Sequence, residues 1–282
     1  MAPGKIGHES IGGISMEFSA ATDKGRVRGN NEDAFAVAEE LNLFVLSDGM
    51  GGYASGEVAS KIAVDTVVSH CREAAKNPAL TYYGGFHLGA SETSRRLASA
   101  ISLANRAVRE EAEKNAARRG MGATIVALQL SENLVSFGHV GDSRAYRLRN
   151  GALRQLTHDH SFVADQVRRG KMTQAEADKS NLQNVLLRAL GPELDVVVDV
   201  SEQEVHEGDT FLLCSDGLSK ELSDAQIAAV LEEGGDPQTS AQRLIHLANE
   251  AGGEDNITVV VIRYAPSLVG AFVARLGRLF KD

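Results

Sequence analysis

The sequence has few cysteines and no long apolar run. Only Cys71 and Cys214 occur among 282 residues, one within a predicted helix and the other within an apolar strand. A disulfide framework or a thiolate metal site is therefore not expected, and both cysteines are interpreted as core thiols. The N-terminal segment lacks the apolar stretch of a signal peptide, and no window reaches the length of a membrane span. These absences predict a cytoplasmic protein.

Basic residues are also scarce relative to acidic ones. The chain has 29 lysines and arginines against 38 acidic residues, a formal net charge of -9. Such a charge repels a phosphate backbone and argues against general nucleic-acid binding. The 43% hydrophobic content is enough for a sizeable core, in one large domain or two small ones. The function of the many acidic side chains is therefore the main question.

Strand-like segments greatly outnumber helical ones. Apolar or alternating patterns predict strands at about 14–21, 34–38, 43–47, 123–130, 134–140, 144–149, 196–201, 210–214 and 257–264. Helical patterns cover roughly 56–76 and 95–118, and capping signals predict two later helices that begin after Ser223 and Asp236. The strands do not alternate regularly with helices. This favours antiparallel sheets with helices packed outside.

One strand ends in an acidic residue followed by glycines. In "FVLSDGMGG", residues 44–52, Asp48 and Gly49 close an apolar strand. With Gly51 and Ala54, this segment formally satisfies the glycine pattern of a dinucleotide-binding loop. That interpretation requires a second strand with a ribose-binding acid about twenty residues later. A helix occupies that stretch instead, so the dinucleotide interpretation is disfavoured.

The same arrangement recurs elsewhere in the chain. Asp216 follows an apolar strand in "FLLCSDGLSK", and Asp142 lies where a strand turns in "FGHVGDSRAYRL". Asp33 and Asp255 each lie just before a predicted strand. Any one such residue is more typical of a solvated turn, but their number favours a shared site that needs cations or basic groups. Ligands that are all oxygen suit Mg²⁺ or Mn²⁺, whereas zinc would recruit His or Cys.

Seven segments, in order, resemble the motif series of the metal-dependent protein phosphatases, the PPM or PP2C-like family, in its compact bacterial form. They are "TDKGRVRGNNEDA", "SDGMGGYASGEVAS", "MGATIVAL", "GHVGDSRAYRLRNGALRQLTHDHS", "NVLLRALG", "LLCSDGLSKELSD" and "GGEDNITVVVI". The resemblance covers residues 14–264. It implies an α+β fold, a four-layer α-β-β-α sandwich of two antiparallel sheets with helices on both outer faces.

The resemblance also implies a binuclear metal centre at one end of the sandwich. Asp48 would bridge two Mn²⁺ or Mg²⁺ ions, and the Gly49 backbone carbonyl would bind the first. Asp216 and Asp255 would hold the second ion. Asp142, together with Asp216, corresponds to a weaker third metal position.

The implied activity is hydrolysis of phosphoserine and phosphothreonine in proteins by a water activated between the two ions. Arg28 would hold the substrate phosphate, and Asp33 would act through a metal-bound water. Arg28, Asp48 and Asp216 are therefore the expected catalytic residues. The expected partners are phosphorylated proteins and a bacterial Ser/Thr kinase. The alternative is a catalytically silent phosphoprotein-binding module, which loss of a metal carboxylate or of the arginine would favour; none is lost.

Some positions near the predicted site depart from the family or have a structural interpretation. Met50 stands where some members have a histidine, so the general acid is unassigned. Structural hydrogen bonds are the favoured role of His158 and His160, and Arg144 is interpreted as a structural ion-pair partner. Residues 157–190 correspond to the family's mobile flap.

Three segments lie outside the motif series. Residues 1–13 are predicted to be a flexible N-terminus. Residues 77–97 join two helices and are interpreted as an inert insertion, with a surface docking loop as the alternative. Residues 265–282 predict an amphipathic helix with a basic face. Packing on its own domain, docking of a partner and contact with an anionic membrane surface are all left open for this helix.

Overall fold

Two antiparallel β-sheets form the centre of the fold. The structure, a computed structural model, describes residues 6–11, 14–52, 55–77, 80, 82–85, 89–131, 133–233 and 235–266. The strands are β1 (Ile6–Ile11), β2 (Ile14–Asp23), β3 (Asp33–Ala38), β4 (Leu43–Met50), β5 (Gly122–Ala123), β6 (Ile125–Ser131), β7 (Leu134–Val140), β8 (Arg144–Arg149), β9 (Ala152–Gln155), β10 (Asp199–Glu204), β11 (Thr210–Cys214) and β12 (Ile257–Pro266). The first sheet has the order β1-β2-β12-β11-β8-β9, and the second has β10-β7-β6-β4-β3 with β5 paired to β4.

Helices cover the outer face of each sheet. They are α1 (Ser55–Lys76), α2 (Glu92–Lys114), α3 (Phe162–Arg168), α4 (Gln174–Ala177), α5 (Asp216–Ser219), α6 (Asp224–Glu232) and α7 (Pro237–Ala251), with 3₁₀ turns at Glu39–Leu41 and Ala116–Arg118. Helices α1 and α2 pack on the second sheet, whereas α6 and α7 pack on the first. The predicted four-layer α-β-β-α sandwich is confirmed.

Alternation along the central strands builds the apolar layers of this sandwich. In β4, Phe44 and Leu46 point into the layer between the sheets, while Leu43 and Val45 point toward α1 and α2. Successive side chains of a strand face opposite sides of its sheet, so a strand covered on both faces is apolar throughout. This explains the continuous apolar run before Asp48 and fixes the position at which the strand leaves the core.

The two helix starts predicted from capping signals are confirmed. The Ser223 hydroxyl and the Gln226 side chain form a reciprocal capping box at the start of α6. The Asp236 side chain accepts from the Thr239 backbone N–H at the start of α7, which ends at Gly252. The helix predicted at 95–118 is displaced toward the N-terminus, since α2 spans Glu92–Lys114 and a separate 3₁₀ turn follows at Ala116–Arg118.

Two predicted strands are displaced or divided in the structure. The strand predicted at 196–201 lies at Asp199–Glu204, because its ladder with β7 begins at the pair Asp199 and His139. The apolar residues before it are not paired, and Val197 is 67% exposed. The strand predicted at 123–130 is divided at Thr124, with β5 on one side and β6 on the other.

Strands β1 and β9 were not predicted. The prediction of a flexible N-terminus over residues 1–13 is corrected for Ile6–Ile11, which pair with β2. The sequence "IGHESI" has few strong strand formers, so its strand depends on pairing with the preformed edge of β2. Residues Ala265 and Pro266, the start of the predicted tail, belong to β12, and 267–282 lie outside the described residues. Within the described part of the chain, no helix has the length and apolar character needed to cross a membrane.

A phenylalanine pair across the two sheets gives a test of this packing. Phe18 and Phe44 meet edge to face, with ring centroids 5.2 Å apart, and Phe44 is fully buried. We expect Phe44→Ala to lower the free energy of unfolding by about 3–5 kcal/mol, because it opens a cavity between the sheets. Phe44→Leu keeps most of the volume and should cost clearly less. Urea unfolding measures both, and a loss below about 1 kcal/mol for the alanine variant would contradict the assigned packing.

Candidate active site

A cleft at one end of the two sheets gathers most of the predicted acidic residues. Asp48 and Gly49 lie near the end of β4, Asp216 directly follows β11, Asp255 precedes β12, and Asp142 lies in the turn after β7. The antiparallel pairing brings all of these strand ends to the same edge. The cleft has a volume of about 190 Å³ and is lined by Arg28, Glu32, Asp48, Gly49, Met50, Gly51, Thr124, Asp142, Asn184, Leu186, Asp216, Lys220, Asp255 and Asn256.

Asp33 lies beside this cleft and does not line it. It stands opposite Asp48 in the β3–β4 ladder. Its Oδ2 atom accepts hydrogen bonds from Ser215 Oγ at 2.8 Å and Thr258 Oγ1 at 2.6 Å. These hydroxyls fix the carboxylate at the seam between the two sheets, within the electrostatic reach of Asp48.

The glycine after each strand-end aspartate is required by close backbone packing. A Cβ atom on Gly49 would lie 2.0 Å from the Gly56 carbonyl oxygen, and one on Gly217 would lie 2.1 Å from the Asn256 carbonyl oxygen. Neither position can accept a larger residue without displacing backbone. The repeated Ser-Asp-Gly sequence thus serves two purposes, since the aspartate faces the cleft and the glycine lets the next segment pass close by.

The loop that carries Arg28 is fixed by one buried side chain. Asn256 accepts from the Glu32 backbone N–H at 2.7 Å and donates to the carbonyl oxygens of Lys24 and Asn30, both at 2.9 Å. One amide therefore holds both ends of the loop between β2 and β3. It places Arg28 at the rim of the cleft.

The clustered carboxylates raise one another's pKa. Burial, followed by the charges of Asp33 and the other acids of the cleft, raises the pKa of Asp48 well above its usual range. Burial and the charge of Asp216 raise the pKa of Asp142 to about 7, and burial raises that of Asp33 to about 7 despite its two hydroxyl donors. Buried carboxylates this close together favour the binding of cations among them.

Two basic side chains contact the cluster directly. Arg28 Nη2 donates to Asp255 Oδ2 at 2.7 Å. The Lys220 ammonium donates to Asp216 Oδ2 and to Asn184 Oδ1. Sequence analysis missed Lys220, although its position four residues after Asp216 is a spacing typical of helical ion pairs.

The residues of the cleft fit a pair of hard divalent cations. Asp33 Oδ1 and Asp216 Oδ1 are buried and have no hydrogen-bond partner within the described part of the chain. Among the described residues that line the cleft there is no histidine or cysteine. Unpaired carboxylate oxygens in a site whose donors are oxygens match the ligand preference of Mn²⁺ and Mg²⁺.

A second group of residues within metal-binding reach is already occupied by hydrogen bonds. One ligand atom each of His139, His160 and Asp199 lies within 4.8 Å of the others. However, His160 Nδ1 accepts from the Gly141 backbone N–H at 3.1 Å, His160 Nε2 faces Asp199 at 3.2 Å, and Arg188 donates to Asp199 at 2.7 Å. The predicted structural role of His160 is confirmed, because it supports the turn that carries Asp142. Arg188 lies in the motif "NVLLRALG" but was given no role, and sequence patterns gave no signal for Asp199.

Arg144 has the predicted structural role. Its guanidinium forms a forked pair with Asp159, with Nε–Oδ1 at 3.0 Å and Nη2–Oδ2 at 2.7 Å, and Nη1 donates to the Tyr146 hydroxyl at 2.8 Å. Arg144 does not line the cleft. It joins β8 to the start of the segment predicted to be the flap.

Comparisons with known proteins agree with this site. A family profile described as Protein phosphatase 2C matches residues 25–249. The chain is 38% identical over 250 residues to the serine/threonine phosphatase stp of Listeria innocua serovar 6a, which covers 88% of this chain and 95% of that protein. It is 35% identical to the crystal structure of the Mycobacterium tuberculosis serine/threonine phosphatase PstP/Ppp, with a TM-score of 0.78 over 89% of this chain and 99% of the other. A structure of the PstP catalytic domain in complex with two manganese ions is similar at a TM-score of 0.75, 35% identity and the same coverage.

Removing one carboxylate should stabilise the metal-free protein. We expect Asp48→Asn to raise the free energy of unfolding in EDTA by at least about 1 kcal/mol, because a neutral amide is not repelled by the neighbouring acids. With Mn²⁺ the order should reverse, since only the wild type gains stability from tight metal binding. Thermal unfolding with and without Mn²⁺ measures this, and Asp224→Asn, at an exposed position of helix α6, is the matched control. A less stable Asp48→Asn protein in EDTA would contradict the electrostatic account.

Proposed function

Because the chain belongs to the protein phosphatase 2C family, we propose that its cleft hydrolyses phosphoserine and phosphothreonine in proteins with the help of two divalent cations. The chain is a protein serine/threonine phosphatase. The observation that carries the metal-dependent mechanism is the convergence of Asp48, Asp142, Asp216 and Asp255 in one cleft, where they repel one another.

The proposed ligands follow from the positions of these residues. Asp48 would lie between the two ions, with the Gly49 backbone carbonyl as a further ligand of the first, while Asp216 and Asp255 would hold the second. Asp33, whose Oδ1 atom is buried and unpaired within the described part of the chain, would act through an intervening water molecule. Mn²⁺ is the proposed ion because a related PstP structure contains two manganese ions, and the same oxygen ligands would suit Mg²⁺.

When bound, the ions would supply an acidified water and positive charge for the phosphoryl oxygens in the transition state. The residues of the chain would position the substrate. Asp255 would exchange its contact with Arg28 for a metal ion, which leaves the guanidinium free at the rim of the cleft. Its planar fork suits two oxygens of a phosphate group. Arg28 would thus align the phosphoryl group for attack.

The proposed catalytic domain covers residues 14–264, with the flap at about 157–190. Helices α3 and α4 belong to this flap, and its residues Asn184 and Leu186 reach the cleft. The substrates are proposed to be phosphorylated proteins, with a Ser/Thr kinase as the enzyme whose action is reversed. The cytoplasmic location and the amphipathic helix at 265–282 stay predictions from the sequence.

Substitution of one carboxylate, that of Asp216, tests the metal-dependent mechanism. We expect phosphate release from a phosphothreonine peptide to require Mn²⁺, to stop in EDTA, and to fall by about 100-fold or more in Asp216→Asn, because a ligand of the second ion is lost. Asp224→Asn, which neutralises an exposed aspartate, should behave like the wild type. Activity that persists in EDTA would contradict the mechanism. A folded, metal-binding wild type without activity would favour the silent phosphoprotein-binding module.

The role of Arg28 predicts a different kinetic change. We expect Arg28→Ala to raise KM for the peptide by about tenfold or more, with a smaller effect on kcat, because the arginine contributes to binding the phosphate before and during reaction. Arg26→Ala, on the same loop, is the matched control, since Arg26 does not line the cleft. Steady-state kinetics at saturating Mn²⁺ separates the two constants. An unchanged KM in Arg28→Ala would remove Arg28 from substrate binding.

A further inference from the structure

Lys220 places an ammonium group inside the acidic cleft. Its side chain is 32% exposed, and the Asp216 carboxylate that it contacts is 13% exposed. The ammonium also donates to Asn184 Oδ1 at 2.6 Å. Among the described residues that line the cleft, it is the one lysine.

The ammonium acts on more than one carboxylate. It contacts Asp216 directly, and it lines the same cleft as Asp142 and Asp255. Lys220 therefore neutralises the part of the cluster that Asp142 and Asp216 share.

A third metal ion would need the same place. Asp216 Oδ1 has no hydrogen-bond partner within the described part of the chain and is left for the proposed second ion, whereas Oδ2 accepts from the ammonium. An ion shared by Asp142 and Asp216 would have to take Oδ2, and two like charges that close repel strongly in a half-buried site. Lys220 is attached to helix α5 four residues after Asp216, so its charge is always present at high local concentration. A weakly binding metal ion from solution would therefore compete poorly with the ammonium for Asp216.

We propose that the Lys220 ammonium is the resident cation of the Asp142–Asp216 pair and takes the place of a third metal ion, so that this chain binds two ions. This inference rests on the proposed metal-dependent function. It also gives Lys220 a positioning role, because the same ammonium holds Asn184 and thereby ties the flap to helix α5. A covalently attached charge would neutralise the two aspartates and hold Asn184 whatever the concentration of free metal.

The test counts bound metal ions. Mn²⁺ titrations followed by calorimetry and by the loss of the free Mn²⁺ electron-paramagnetic-resonance signal would compare the wild type with Lys220→Gln and Lys220→Arg. We expect two ions in the wild type and in Lys220→Arg, and a third ion in Lys220→Gln, bound about tenfold or more tightly than any third ion in the wild type. Limited proteolysis should also cut the flap faster in Lys220→Gln than in Lys220→Arg.

The outcomes separate this inference from the proposed function. Three ions in the wild type, or the same number in the wild type and Lys220→Gln, would overturn the role of Lys220 and leave the metal-dependent mechanism intact. No bound Mn²⁺ in the wild type would overturn both. If Lys220→Gln does not fold, the number of ions bound by the wild type still tests the inference, because three ions would overturn it.

Discussion

Electrostatic repulsion among a few carboxylates dominates the functional end of this protein. Asp33, Asp48, Asp142 and Asp216 are held close together with little solvent around them, and the pKa of each of the first three is raised. An unpaired buried charge is costly, so the arrangement persists only because the rest of the fold enforces it and because cations can neutralise it. The site is thus a region of electrostatic repulsion within the sandwich, and the proposed metal ions would relieve that repulsion.

The two sheets provide the rigidity that such a site needs. Strands β4 and β11 are buried along their length, and each ends at a Ser-Asp-Gly sequence whose glycine admits another backbone segment at very short range. Asn256 and His160 then fix the loops that carry Arg28 and Asp142. No single strand makes the site, because its residues come from the ends of strands in both sheets.

The sequence predicts the site well wherever a carboxylate follows a buried strand, because apolar runs, glycines and motif order are all local signals. It predicted the convergence of Asp48, Asp142, Asp216 and Asp255. It did not predict the hydrogen-bond network of Asp199 and Arg188, which depends on a contact between distant segments, or the edge strand β1, which depends on pairing rather than on propensity. Lys220 was missed because a lysine on a short helix is usually solvated, and only the tertiary structure places it against Asp216.

The most direct test of the central claim is a crystal structure of the protein soaked in Mn²⁺, with anomalous scattering used to locate manganese. The account predicts two strong peaks in the cleft, within ligand distance of Asp48, Asp216 and Asp255, and a Lys220 ammonium still beside Asp216. A cleft without manganese, or manganese bound instead among His139, His160 and Asp199, would contradict it.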